Sequence, residues 1–422
     1  MSRLILHIDM DSYFASVEQQ FNPYLRKRPI GVSRKPQDRT IIAAASKEAK
    51  QFGLKSGMPI WEATHLCPEL VIVPGHPTRY AYLTGRIFGL LKKFSPLFEP
   101  FSIDEGFLDI TSVASRYGGP ERLALRIKSE IRRAVGEYIT CSIGVGSSKT
   151  VAKIASEMRK PNGLFWIKED EVMSFFHKLP VDTACGINKR LQAKLSLMNI
   201  YTLADLGKCD PSRLRQAFGI GGHYLHLIGQ GKDPLPLNPN YKDVPPKGFG
   251  HSRVFGFPYP FFDEAKDVLY LLCYKTARRM RHKGYAGRVV HFYAASQEQA
   301  YGRQRALPAP TIDEQVIYTK CLQIAQELGV GDEIKIIGVS INDLYKRAGL
   351  TISMFTVDRR REKLLDAMDK INNRWGDFTI YFAYLQPIKD RVAWNVASLG
   401  MHREIELDEL LDPERRVPDF TQ

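Results

Sequence analysis

The residues with the most chemistry in them are acids at the ends of apolar strands. LILHIDMD at 4–11 is a short apolar run entering Asp9-Met10-Asp11. Alternate residues of a strand face one side, so Asp9 and Asp11 are placed to converge. Much further along, FSIDEGFLDI carries Asp104-Glu105 inside a second apolar run, which reads as a hairpin or strand edge bearing carboxylates. A few carboxylates, with substrate phosphates completing the shell, are the ligand set that Mg²⁺ prefers. Two such ions activate a 3′-hydroxyl and neutralise a leaving pyrophosphate. No His-rich set accompanies these acids, and Cys67, Cys141, Cys185, Cys209, Cys273 and Cys321 are scattered with no CxxC pair. Zinc and a disulfide framework are therefore disfavoured. On the acids alone a polymerase, a nuclease and a cyclase are equally served, and one acidic pair by itself also fits a solvated turn.

The elements that must hold these acids follow from periodicity. Residues 4–9 read as a buried strand. SYFASVEQQ suits a helix with Ser12 as its N-cap. Residues 21–74 are small and mixed, and Pro59 suits a helix start. YAYLTGRIFGLLKKFSP is helical, and 121–136 is an amphipathic helix with Leu123, Ile127 and Ile131 on one face. The strand YITCSIGVG and the helix KTVAKIASEMRK complete an alternating α/β layer. Residues 166–232 become helical in short pieces broken by glycine. DPLPLNPNYKDVPP, at 233–246, reads as a linker. Residues 247–345 form a smaller α/β unit, and 346–422 an extension with the Arg-rich helical start RRREKLLDAMDKINNRW and an acidic end.

Composition bounds the partner. At 422 residues the chain is too long for one core. Hydrophobic residues at 44% and charged residues at 25% describe a globular chain, not a disordered one. A net charge of +14 suggests a polyanionic partner, since Lys and Arg gain by displacing counterions from phosphates. The N-terminal apolar run is too short for a signal peptide, and no span approaches the roughly 18 apolar residues of a membrane helix. A cytoplasmic protein with no membrane contact is expected.

IDMDSYFASVE, SGMPIWEATHLCPEL, FSIDEGFLDI, GVGSSKTVAKIASEMRKPNG and the helical glycine turns occur in one order. That order resembles the Y family of DNA polymerases, in its DinB or polymerase IV-like branch, over residues 1–345. The resemblance implies a multidomain α+β right hand: a palm at 1–20 and 75–165, small fingers at 21–74, a helix–hairpin–helix thumb at 166–232, and an α/β little finger at 247–345. It implies template-directed addition of dNTPs to a primer–template DNA, low-fidelity translesion synthesis, two Mg²⁺ ions and a monomer. A non-catalytic scaffold that kept the fold would have lost a metal carboxylate, and Asp9, Asp104 and Glu105 are all present.

Residue by residue, Asp9, Asp104 and Glu105 match the metal-binding carboxylates, with the Met10 carbonyl as a further ligand. Asp11 is expected to orient the turn. Phe14 matches the steric gate, a flat ring leaving no room for a 2′-hydroxyl; read alone, it suits a core aromatic. Tyr13 beside it belongs to the same nucleotide-binding motif. Lys160 matches the lysine that meets the triphosphate; without the motif it is a helix-end lysine favoured by the dipole. In SKEAK the family's usual tyrosine and arginine are replaced by Lys47 and Lys50, which meet phosphate without arginine's bidentate fork. ACGINKRLQAKL and FGIGGHYLHL are candidate phosphate-binding turns through Gly186, Gly219 and Gly221, with Asn188 where a second glycine is usual. Asn tolerates a left-handed turn. Arg278, Arg279, Arg281, Lys283 and Arg288 form the densest basic run and are expected on DNA phosphates. TISMF at 351–355 resembles the Gln-Leu-Ser-Leu-Phe peptide that docks on the sliding clamp, with Ile352, Met354 and Phe355 as contacts and Thr351 in place of the glutamine.

Overall fold

A computed structural model describes residues 3–33, 41–256, 259–350, 356–375 and 378–386. The chain separates into two compact units that part between Asp243 and Val244.

The first unit is built on β1 (Ile5–Met10), which is followed at once by α1 (Tyr13–Phe21). Next comes a small lobe. It contains β2 (Ile30–Ser33), β3 (Ala44–Ala45), α2 (Lys47–Gln51), α3 (Ile60–Leu66) and β4 (Val71–Pro74). The chain then returns through α4 (Pro77–Phe94), β5 (Phe98–Pro100), β6 (Glu105–Asp109) and α5 (Pro120–Val135). The layer closes with β7 (Cys141–Gly146), α6 (Lys149–Glu157) and β8 (Leu164–Trp166).

These strands form a five-stranded sheet in the order β5-β6-β1-β7-β8, with β1 antiparallel to both neighbours. On one face Leu6, Ile8, Leu108, Ile143 and Val145 bury against Leu83, Ile87 and Leu91 of α4 and Leu123, Ile127 and Ile131 of α5. The other face carries α6. A Cβ on Gly144 would lie 2.1 Å from the Ala152 carbonyl oxygen and 2.2 Å from the Ser156 nitrogen. Only glycine there lets the helix sit against the strand. The lobe's sheet has the order β3-β2-β4 over a small core of Ile42, Ala45, Ala49, Leu54, Ile60, Ala63, Cys67 and Leu70.

Five short helices follow: α7 (Val172–Phe176), α8 (Lys189–Ser196), α9 (Leu203–Lys208), α10 (Pro211–Phe218) and α11 (Ile220–Gly229). Their core includes Phe176, Leu195, Leu203, Leu206 and Leu214, and is continuous with Val151, Ile154 and Ala155 on the outer side of α6. The segment read as a linker is only partly one. Asp233 accepts from the Lys149 and Thr150 nitrogens and so caps α6, Leu237 is buried with Ile5, Phe107 and Ala152, and the Asn238 nitrogen donates to Glu99.

The second unit contains β9 (Gly248–Val254), α12 (Phe262–His282), β10 (Tyr285–Ala295), β11 (Ala300–Thr311), α13 (Glu314–Glu327) and β12 (Ile336–Lys346). Its antiparallel sheet has the order β11-β10-β12-β9. Phe249, Val290, Phe292, Ala294, Ile337, Val339 and Ile341 pack against the two helices. The extension adds α14 (Thr356–Trp375) to this unit. Leu365 packs with Ala286 and Ile312, and Phe378 and Leu385 close over Tyr270, Leu271 and Tyr274.

Candidate active site

Strand register sets the site. Asp9 stands directly opposite Glu105 of β6 and Ser142 of β7, and His7 opposite Phe107 and Gly144. Directly opposed residues share a face, with Cα atoms about 5 Å apart. One residue on, the Met10 nitrogen donates to the Asp104 carbonyl at 3.0 Å. Asp9, Asp104 and Glu105 thus meet at one end of the central strands, while the Met10 side chain is buried in the core and leaves only its carbonyl for a ligand.

The carboxylates are engaged by cations of the protein. Lys160 Nζ lies 2.9 Å from Asp9 Oδ1 and 2.6 Å from Glu157 Oε1. Lys153, on α6, pairs with Glu105. Buried His7 places Nε2 3.1 Å from Glu105 Oε2 and Nδ1 2.8 Å from Ser156 Oγ. Among the described residues no three His, Cys, Asp or Glu side chains are gathered into a metal-holding cluster. Burial pushes Asp9 up to about 6; Lys160 opposes that shift while the two neighbouring acids add to it. Burial also raises Asp104, against the hydrogen bond from Ser102 Oγ. Burial works against ionisation of Glu105 too, but His7 and Lys153 outweigh it and hold the carboxyl down at about 2.

Asp11 behaves as the turn-orienting residue. Its carboxylate accepts from Thr140 Oγ1 and Ser142 Oγ, each at 2.7 Å, and from the Asn162 nitrogen at 2.8 Å. Ser12 takes the N-cap position but caps nothing. It is left-handed at φ 48°, and its buried hydroxyl finds no partner among the described residues. Strain of this kind clusters at functional sites. Lys47 Nζ donates to Thr140 Oγ1 at 2.5 Å, and burial lowers its pKa; Lys50 is exposed a turn further along α2.

The half-buried Phe14 ring stacks on Tyr80 at 4.5 Å and 19°. Tyr80 is fixed in turn, its hydroxyl donating to buried Glu18 at 2.5 Å. Tyr13 corrects an expectation. Its side chain points into the core, where the hydroxyl donates to the Tyr80 carbonyl at 2.8 Å, so the phenol is not offered to a nucleotide.

In the helical region Gly186 is left-handed at φ 96° and Gly219 has φ 60°. Asn188 is not left-handed. It is extended at φ −82°, and its Oδ1 accepts from the Leu191 nitrogen as the cap of α8. Gly221 lies in the first turn of α11 with open space where a side chain would be. The basic run is corrected at Arg281. Arg281 is buried, donating to Glu314, to the Ile312 carbonyl and, through two nitrogens, to Asp369 of α14. Arg278 reaches Asn373 of α14 at 3.0 Å, Arg279 lies over the Phe249 ring, and Arg288 pairs with Asp343. Lys283 follows the end of α12. Residues 351–355, with Ile352, Met354 and Phe355, lie outside the described residues.

His7, Lys153, Ser102, Thr140, Ser142 and Tyr80 were missed in the sequence. A signal existed for His7, which is two residues before Asp9 and so shares its strand face. The others become neighbours only through the fold.

Paired acids on adjacent strands of a mostly antiparallel sheet, in one unit with a small lobe and a helical region, fit a nucleotidyltransferase. The comparisons make this specific. Residues 8–157 match the impB/mucB/samB family, and residues 246–354 match that family's C-terminal domain. A DNA polymerase IV of Pelotomaculum thermopropionicum is 35% identical over 89% of this chain and 94% of its own length. DNA polymerase IV 2 of Bacillus subtilis is 31% identical over 95% and 98%. A solved Y-family DNA polymerase chimera superimposes with a TM-score of 0.67 at 27% identity, covering 81% of this chain and 98% of its own. The chain belongs to the Y family of DNA polymerases, in its DNA polymerase IV-like branch, and is a DNA-directed DNA polymerase.

Proposed function

We propose that the chain extends a primer–template by two-metal phosphoryl transfer, with the low fidelity that suits lesion bypass. The observation that carries this is Asp9 directly across from Glu105, with Asp104 one residue before it. The donors fit Mg²⁺: hard oxygens from Asp9, Asp104, Glu105 and the Met10 carbonyl, at a place where burial and mutual repulsion raise two of the acids and a cation relieves both. Held by these oxygens, magnesium would supply activation of the primer hydroxyl and neutralisation of charge on the leaving group.

The chain's own residues do the rest. Lys160, already beside Asp9, offers its charge to the triphosphate of a dNTP. Lys47 and Lys50 lie on one helix and add phosphate contacts. Phe14, braced by Tyr80, closes the space under the sugar. The small lobe's short strands and few core residues make a light cover for the nascent pair, so an irregular pair is weakly rejected. Gly186 and Gly221, the latter in the first turn of α11, present backbone N–H groups to DNA phosphates, while the Gly219 N–H is spent on the Arg215 carbonyl at 2.8 Å. In the second unit the sheet face away from α12 and α13 carries Gly248, Gly250, Ser252, Gly302, Gly338 and Ser340. These small positions, set beside His291 and Tyr293 of β10 on the same face, let a phosphate backbone approach, and Lys283 and Arg288 add positive charge. The clamp contact through 351–355, a monomeric state and a cytoplasmic location belong to the same proposal; among the described residues no helix is long and apolar enough to cross a membrane.

Primer extension with dNTPs and Mg²⁺, over undamaged and lesion-bearing templates, tests this reading. Elongation past a lesion is the expected result. Shortening of the primer, or binding without elongation, contradicts it.

A further inference from the structure

We propose that Lys128 of α5 is a positioning residue for Lys160, holding the main chain of the loop that offers Lys160 to the triphosphate of an incoming dNTP. The inference rests on the polymerase reading above. The loop is short: residues 158–163 join α6 to β8, and Lys160 stands within it. Its far end needs outside support. Asn162 is left-handed at φ 54°, a conformation that costs a residue with a side chain unless its surroundings impose it. The support comes from two directions. On one side the Asn162 nitrogen donates to Asp11 Oδ2 at 2.8 Å. On the other, Lys128 Nζ donates to the Asn162 carbonyl at 2.6 Å and to the Gly163 carbonyl at 3.0 Å. The loop then joins the sheet, the Gly163 nitrogen donating to Ser142 Oγ at 3.3 Å and the Ile143 nitrogen to the Gly163 carbonyl at 3.1 Å.

Lys128 is set apart from the solvated lysines of the surface. It follows buried Ile127 at the edge of the packed face of α5, and it is half-buried. Burial lowers its pKa, and the charge of Asp11 works against that shift. Asp11 is buried in turn and accepts from Thr140, Ser142 and Asn162. A buried carboxylate is costly without a cation nearby. Lys128 supplies that charge and grips two carbonyls with the same ammonium. Asp11 and Lys128 thus close on one turn of main chain from opposite sides. Two residues earlier stands Lys160, whose long side chain places its charge according to where its Cα is held; its Nζ lies 2.9 Å from Asp9 Oδ1. A displacement of about 1 Å in a substrate-positioning group costs up to about 100-fold in rate. Loosening the loop is therefore felt at the triphosphate, while Asp9 and Glu105 keep the places that strand register gives them.

The test is single-turnover incorporation on prebound primer–template by the full chain carrying Lys128→Met, Lys128→Arg, Lys160→Ala, or Lys128→Met with Lys160→Ala, each over a range of dNTP concentrations. Lys128→Met is expected to slow incorporation at low dNTP by about tenfold or more, through weaker apparent dNTP binding, with primer–template affinity and Tm retained. Lys128→Arg keeps the charge and can still donate to both carbonyls, so it is expected to retain most of the activity. In the Lys160→Ala background, Lys128→Met is expected to cost little more, because a residue that acts through another is not additive with it. Unchanged incorporation by Lys128→Met overturns the proposal. So does a loss that multiplies in full with that of Lys160→Ala, and so do equal losses in the Met and Arg variants tracked by a lower Tm. Those results leave the triphosphate reading of Lys160 standing. That reading fails separately, and takes the role of Lys128 with it, if Lys160→Ala itself incorporates at the unaltered rate.

Discussion

At the scale of single residues, the site is a contest for carboxylates. Lys160 and Lys153 hold Asp9 and Glu105, and His7 helps aim Glu105 from below. Burial holds His7 down at about 4, so its ring is neutral at neutral pH. Both ring nitrogens are engaged, Nε2 at 3.1 Å from Glu105 Oε2 and Nδ1 at 2.8 Å from Ser156 Oγ, and the Ser156 hydroxyl is itself held by donating to the Lys153 carbonyl at 2.7 Å. The chain Ser156 to His7 to Glu105 therefore fixes the orientation of one proposed metal ligand. Partners of this kind are typically worth 10–100-fold in metal affinity or activity. His7→Leu is expected to reduce extension about 10–100-fold, with the loss partly recovered at raised Mg²⁺, as a Mg²⁺ titration of primer extension will show. Phe14→Ala has a different signature. Ribonucleotide incorporation relative to deoxyribonucleotide is expected to rise by about tenfold or more, which corresponds to about 1.4 kcal/mol of lost discrimination. Unchanged sugar selectivity would remove Phe14 from the gate.

At the scale of elements, α6 is the piece on which the site depends. Its inner side gives Lys153 to Glu105 and Ser156 to His7, its outer side belongs to the helical core, and Asp233 caps its start. Its closeness to β7 rests on Gly144. Gly144→Val is expected to destabilise the first unit by about 1–3 kcal/mol or more through overpacking, measured as a lower Tm, and to reduce extension by displacing Lys153. The helix itself was readable from KTVAKIASEMRK, and the strand acids from their place in apolar runs. The closeness of helix to strand was not, because Gly144 looks like any other glycine until its neighbours are known. The same reason explains Asn188. A glycine-turn pattern suggested a left-handed residue, but Asn is also a strong N-cap, and capping α8 through the Leu191 nitrogen prevailed.

At the scale of the whole molecule, net positive charge alone does not show where DNA lies. The densest basic run looked like a phosphate-facing helix, yet Arg281 and Arg278 turn to Glu314, Asp369 and Asn373. Their acidic and polar partners come from α13 and α14, far away in sequence, so no local pattern could reveal them. Arg281→Met leaves Glu314 buried without this partner and is expected to cost about 3–5 kcal/mol in stability of the second unit, read by thermal unfolding, with little change in the salt dependence of DNA binding. Deleting 351–355 is expected to abolish stimulation by a sliding clamp while leaving clamp-free extension intact; unaltered processivity with clamp present counts against docking there. The central claim is that Asp9, Asp104 and Glu105 act together on the reacting phosphate, and its most direct test is single-turnover incorporation by Asp104→Ala on prebound primer–template. The account predicts retained DNA binding with incorporation slowed by about a thousandfold or more, as loss of several kcal/mol of charge stabilisation requires. Incorporation near the unaltered rate on equally bound DNA would contradict it.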